Sequence, residues 1–197
     1  SDKTDYAEIT ERLGHTWEVS LNTYKPFACG IVIHPSIDGC VQLRNAHGLK
    51  AEMIRRVVLR VHPLVLELTG KKTPSKGLEG KFSVYHSCAA GIIHGRAGEE
   101  EYSDAVVTSA DVVALRSRVE AVIDTKVPED AADVSIETTD GRTLHVYVEH
   151  AIGSLARPMT DAQLRAKFVD QSAPVLRAER AARAAEIAAR IADFPTV

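Results

Sequence analysis

The sequence predicts an α+β fold: a mixed or antiparallel sheet of about four or five strands, helices on one face, and two helices at the C-terminus. Three observations carry this. Arg56 to His62 (RVVLRVH) reads as a strand of β-branched residues. Val134 to Thr138 and Thr143 to Glu149 flank Asp140-Gly141, the signature of a hairpin with a type I′ turn. Past about Ala156 the chain turns to Ala, Arg and Glu, with apolar residues at helical spacing. A composition of 45% hydrophobic and 26% charged residues over 197 positions supports a buried core and excludes a disordered chain. With a net charge of -3 and no basic stripe, neither nucleic acid nor an anionic membrane is an expected partner. No apolar run approaches the roughly 20 residues of a membrane span, so a cytoplasmic protein is expected. Cys29, Cys40 and Cys88 form no CxxC pair, and neither a disulfide framework nor a zinc knuckle is indicated.

The elements follow in order. Asp2 to Leu13 reads as the tail of a helix closed by Gly14. Trp17, Val19 and Leu21 alternate with polar residues, a strand period, and Pro26 closes that strand. Cys29 to Ile33 is a short apolar passage. His34-Pro35 then opens a helix that ends at Gly48, because proline is favoured in a first turn whose N–H groups are unpaired anyway. After the strand at Arg56 to His62, which Pro63 terminates, Thr69 to Gly80 (TGKKTPSKGLEG) has loop chemistry. Ser83 to Gly95 is rich in small residues and predicts a tightly packed helix. A helix at Ala110 to Arg118 and a strand at Val119 to Asp124 precede the hairpin. Thr160 caps a helix from Asp161 to Ser172, Pro174 interrupts it, and a second helix runs from Leu176 to Phe194. Its stripe of Ile187, Ile191 and Phe194 needs a neighbour.

Familiar catalytic signatures are missing. Gly80-Lys81-Phe82 lacks the rest of a P-loop, and there is no GxSxG, HExxH or GxGxxG. His86, Cys88 and His94 share one helix without stacking at ligand spacing. His145, Tyr147 and Glu149 share one face of a hairpin strand and read as a solvated or sheet-packing face.

Three segments are more specific. The first is Lys25-Pro26-Phe27-Ala28-Cys29-Gly30 running into Ile33-His34-Pro35-Ser36-Ile37-Asp38. The second is Thr73-Pro74-Ser75, then Gly77-Leu78-Glu79-Gly80-Lys81-Phe82-Ser83-Val84-Tyr85. The third is Pro158-Met159-Thr160-Asp161, then Leu164 and Lys167-Phe168. In this order they resemble the MmgE/PrpD family, which includes 2-methylcitrate dehydratase, cis-aconitate decarboxylase and iminodisuccinate epimerase. Members of that family are longer, with a large helical domain and an α+β lid domain inserted before the C-terminal helices. The resemblance implies that residues 1–14 end a helix of the helical domain, that residues 15–156 form the lid domain, and that residues 157–197 return to a helical domain not present here. It also implies a lyase or isomerase that works without metal or cofactor on a small di- or tricarboxylate, 2-methylcitrate dehydratase-like as first choice, in a homodimer held through the helical domain. Some decarboxylase-type members carry an extra histidine where this chain has Cys29-Gly30, a departure that weakens the decarboxylase assignment.

The chemistry sets the expected roles. Removing a proton or CO₂ beside a carboxylate builds negative charge, which cations and hydrogen-bond donors must hold while an acid or base moves the proton. Lys25, next to a rigid proline, is placed to hold a carboxylate as a point charge. His34 opens a helix, where the dipole favours anions, and could shuttle a proton. The resemblance places Tyr85 at the active site, where a phenol can donate to an enolate-like oxygen. It also brings Lys81 and Ser83 forward as substrate contacts. Lys25, His34 and Tyr85 are expected to converge on one carboxylate. The second reading is a non-catalytic binding or regulatory module that pairs with a helical partner.

Overall fold

A computed structural model describes residues 5–194. Its centre is a four-stranded mixed sheet in the order β2-β1-β3-β4, with β1 at Ile54–Val61, β2 at Val119–Ile123, β3 at Ala132–Thr138 and β4 at Thr143–Val148. β1 pairs parallel with β2 (Leu59 opposite Ala121) and antiparallel with β3 (Leu59 opposite Val134). β3 and β4 form the expected hairpin, with Ile136 opposite Leu144. Its turn differs from the type I′ expectation. Gly141 has φ 89°, but Asp140 is not among the residues with positive φ. The Thr138 N–H bonds the Arg142 carbonyl across a three-residue loop, Thr139 to Gly141, in which only the glycine needs the left-handed region.

Alternation sorts the sheet into two faces. Val57, Leu59, Val61, Val134 and Ile136 are fully buried beneath the helices. The opposite face is a lattice of cross-strand ion pairs, among them Arg56–Glu120, Arg60–Asp124 and His145–Asp133, and Tyr147 lies half-exposed there as a solvated-face residue. Helix α1 (His34–His47) covers β3 and β4 and packs on α4 (Val84–His94), which in turn meets β2. Both end where glycine predicts, at Gly48 and Gly95. Between β1 and α4 lie α2 (Pro63–Thr69) and α3 (Gly77–Gly80); after α4 come α5 (Asp104–Val107) and α6 (Ala110–Arg116).

Four further sequence expectations change. Residues 5–15 form a short 3-10 turn at Ala7–Ile9 followed by turns, not an α-helix, and Arg12 adopts a left-handed φ of 57°; residues 1–4 of that expected helix lie outside the described residues. Short helices do not hold without a face to pack, and this segment is almost wholly exposed. The expected strand at Trp17 to Leu21 is a 3-10 turn, Glu18–Leu21, whose alternation finds no sheet neighbour to complete a ladder. Pro63 does end β1, yet it also starts α2: the His62 ring accepts from the Leu64 N–H at 3.2 Å and caps it. The break expected at Pro174 falls instead at Arg177 (φ 65°, ψ 153°). Pro174 sits inside the last turn of α7 (Asp161–Leu176), which the Arg177 N–H closes onto the Ala173 carbonyl at 2.8 Å.

Helix α8 (Ala178–Ala189) folds back on α7 through the buried small residues Ala181 and Ala185. The expected stripe faces away. Ile187, Ile191 and Phe194 are 51%, 58% and 50% exposed. This exposure sets two contrasting stabilities. Leu59→Ala, in the centre of the sheet, is expected to cost about 2–5 kcal/mol in urea unfolding. Ile191→Ser is expected to change stability by no more than about 0.5 kcal/mol.

Candidate functional site

A cavity of about 520 Å³ opens between the Lys25–Gly30 loop, Leu78, Lys81 and Phe82 ahead of α4, the Arg96–Glu99 turn and α7. The loop is tied at three points. The Tyr24 N–H donates to the Gly153 carbonyl at 3.2 Å, Ala28 N–H to the Ala97 carbonyl at 2.9 Å, and Gly30 N–H to the Lys81 carbonyl at 3.3 Å. Gly153 is required there: its φ is 89°, and a Cβ would stand 2.1 Å from the Tyr24 oxygen. The segment that carries Gly153 is itself held by α1. Asp38, buried on that helix, accepts from the Ile152 N–H at 3.1 Å and from Arg157 Nη1 at 2.7 Å.

Four cations line this cavity: Lys25, Lys81, Arg96 and Lys167. Two are neutralised within the chain. Lys81 pairs with Glu99 at 2.6 Å, and Arg96 pairs with Asp170 at 2.7 Å and with buried Glu101 at 2.9 Å. The other two, among the described residues, meet only carbonyls. Lys25 Nζ donates to Cys29 O at 3.2 Å, and Lys167 Nζ donates to Lys25 O at 2.7 Å. Two lysines without a carboxylate beside an open cavity suit an anion. At the cavity floor, burial pushes the Cys29 thiol up to about 11 against the pull of Tyr102, Lys25 and Lys81, so it is a neutral thiol near pH 7. Among the described residues no three His, Cys, Asp or Glu side chains gather as a metal site requires.

Of the residues singled out in the sequence, Lys25 and Lys81 meet at this cavity. The others go elsewhere. His34 is 3% exposed, packs edge-on against Phe27 at 5.3 Å, and lines a smaller cavity of about 110 Å³ with Tyr24 and His150. Its Nε2 is buried without a partner. Tyr85 lines a third cavity with Lys72 and Arg116. Ser83 is fully buried, and its hydroxyl accepts the His86 N–H at 3.1 Å as the N-cap of α4. Lys25, His34 and Tyr85 therefore do not share one cavity within this chain. Sequence reasoning gave no role to Arg96, Asp170 or Lys167. Lys167 stood in the third motif, and its pairing with the Lys25 carbonyl became visible only once α7 was placed.

Burial first, and the Lys25 charge second, lower the His34 pKa to about 4. The folded protein thus favours neutral His34, while the unfolded chain takes up a proton near the ordinary value of 6.5. Stability from this group is complete above that ordinary value and is lost as pH falls toward about 4. Burial lowers His86 in the same direction. Urea unfolding from pH 7 to pH 4 should show wild type losing on the order of 2–3 kcal/mol to His34, a slope that His34→Gln flattens in part.

The comparisons with known proteins agree with the motifs. No curated protein matches the chain. The family model described as the MmgE/PrpD C-terminal domain matches residues 27–193, from the Lys25 loop through α8. That span takes in most of the cavity lining, the sheet and the helical pair, and the chain belongs to the MmgE/PrpD C-terminal domain family.

Proposed function

We propose that this chain is the carboxylate-holding part of a lyase or isomerase that acts on a small di- or tricarboxylate, a 2-methylcitrate dehydratase-like carbon–oxygen lyase as first choice. The observation that carries the reading is the pair of lysines, Lys25 and Lys167, that face the 520 Å³ cavity without a carboxylate. The family resemblance marks Lys25 as a motif residue, and its backbone is held by the Lys167 contact and by the Gly153 contact to the neighbouring Tyr24. Lys81 adds a third positive charge, shared with Glu99. Ser83 supports the site through the α4 cap. Preorganised charge of this kind is useful because it need not reorganise as the carboxylate gathers negative charge.

The proton-moving roles go to His34 and Tyr85, and the family resemblance supports them. Dehydration removes a proton from the carbon beside a carboxylate and expels hydroxide from its neighbour; the hydroxide takes a proton and leaves as water. A neutral imidazole can accept the first proton. An anion on Lys25 would offset one of the charges that depress His34. Tyr85, a phenol kept protonated by burial, could supply the second. Because both line other cavities, the complete site requires a helical domain that spans them. The exposed apolar residues Tyr6, Ile9, Leu13, Trp17, Ile187, Ile191 and Phe194 support such a partner. We place the assembly in the cytoplasm as a homodimer; the three free buried cysteines suit a reducing compartment. Among the described residues no helix is long and apolar enough to cross a membrane.

The test is an assay of this chain joined to a family helical domain, against 2-methylcitrate, cis-aconitate and iminodisuccinate. Lys25→Met and Lys167→Met should raise KM at least about tenfold. His34→Ala and Tyr85→Phe should lower kcat on the order of 10²- to 10⁴-fold. The 197-residue chain alone should show no turnover. Turnover by the chain alone, or full activity after both lysine substitutions, overturns the reading.

A further inference from the structure

The cavity that holds Tyr85 has a composition of its own. It measures about 470 Å³ and lies between the loop at Lys72 and the start of β2. Arg116, from the last turn of α6, is 8% exposed and has no carboxylate partner among the described residues. Its Nη1 donates to the carbonyls of Pro74 and Val107, at 3.3 and 3.2 Å. Its Nε and Nη2 make no hydrogen bond within the described residues, and neither is a fully buried orphan. That edge of the guanidinium, the one that grips a carboxylate through two parallel hydrogen bonds, is therefore free.

The neighbours add to the case. Lys72 lies 5.9 Å from the centre of the Tyr85 ring and makes no ion pair among the described residues. The Tyr85 ring is buried, yet its hydroxyl has no partner among the described residues. The carboxylate at the cavity wall, Glu120, is already bound to Arg56 at 2.5 Å. A desolvated cation is costly unless something neutralises it, and here no side chain does. Val119 and Ala121 give the wall an apolar stretch.

We propose that this cavity is a second anion site, distinct from the Lys25 cavity, that takes a small aliphatic carboxylate on the free edge of Arg116, with Lys72 as a second charge. The fork of Arg116 suits either a carboxylate or a phosphate, and the apolar wall of Val119 and Ala121, which accommodates a carbon chain, favours the carboxylate. The site is a matter of binding and does not rest on the lyase reading.

Titration of the chain with succinate, and separately with inorganic phosphate, tests it by nuclear magnetic resonance. Succinate is expected to shift the Arg116 Nε–H, Ser117 and Tyr85 signals saturably below about 50 mM. Arg116→Met and Lys72→Met should each weaken that binding about tenfold or more, and Lys25→Met should leave it unchanged. Arg116 also holds two carbonyls, so its variant can unfold; Lys72, which makes no hydrogen bond among the described residues, keeps the test decisive in that case. No saturable shift, a shift that survives Lys72→Met, or equal loss in Lys25→Met overturns the site. Phosphate binding tighter than succinate overturns the carboxylate assignment.

Discussion

The architecture around the lysine cavity depends on one buried carboxylate. Asp38 lies on α1, beneath the sheet-covering face, where an unsatisfied charge would be costly. The loop after β4 satisfies it, through the Ile152 N–H and Arg157. Arg157 also donates to the His150 carbonyl, and its own carbonyl accepts the Gly153 N–H at 2.7 Å. The loop is thereby closed on itself and pressed against Tyr24. A buried carboxylate on one helix thus fixes the backbone beside Lys25 through a loop that lies far from both in sequence. The motif Ile37-Asp38 and the motif Lys25-Pro26 are two ends of one mechanical linkage.

The same linkage explains why the cavity has an open side. α7 reaches it by only a few polar contacts, Arg96–Asp170 and Lys167 to the Lys25 carbonyl, while its other face receives α8. A wall made of long charged side chains over a deep cavity admits solutes more readily than a packed apolar wall. The core beneath it is different in kind. Ile33, Ile37, Cys88 and Ile92 are almost wholly buried where α1 and α4 meet. The rigid layer therefore lies under the site, and the adjustable layer lies over it.

What was legible in the sequence follows from the range of the interactions involved. The strand at β1, the β3–β4 hairpin and the helices opened by His34-Pro35 and closed by Gly95 depend on local pattern, and they were readable. The exposed stripe on the last helices was readable too, since a single apolar line cannot bury itself. Local pattern misled where no partner existed. Trp17, Val19 and Leu21 alternate like a strand, but this exposed segment docks on neither edge strand, β2 or β4, and forms a 3-10 turn instead. The helix at Pro63 was hidden because a proline that ends a strand and a proline that starts a helix are the same residue. The placement of Tyr85 was beyond reach for another reason. A residue on the first turn of α4 can face either side of that helix, and only the packing of α4 against β2 and α6 sends it away from Lys25.

Charge shows the same limit most clearly. A net of -3 argues against a broad basic surface. It says nothing about pairs. Many cations among the described residues have a carboxylate within reach, as the outer face of the sheet illustrates. Of those that form no ion pair, Lys25, Lys167, Lys72 and Arg116 line cavities instead of the open sheet. An unpaired lysine on an open surface is held by water at little cost. One held against a cavity wall has less water and fixed neighbours, so an anion there gains more from it. The informative quantity is therefore not how many basic residues the chain has, but where folding leaves one without an acid.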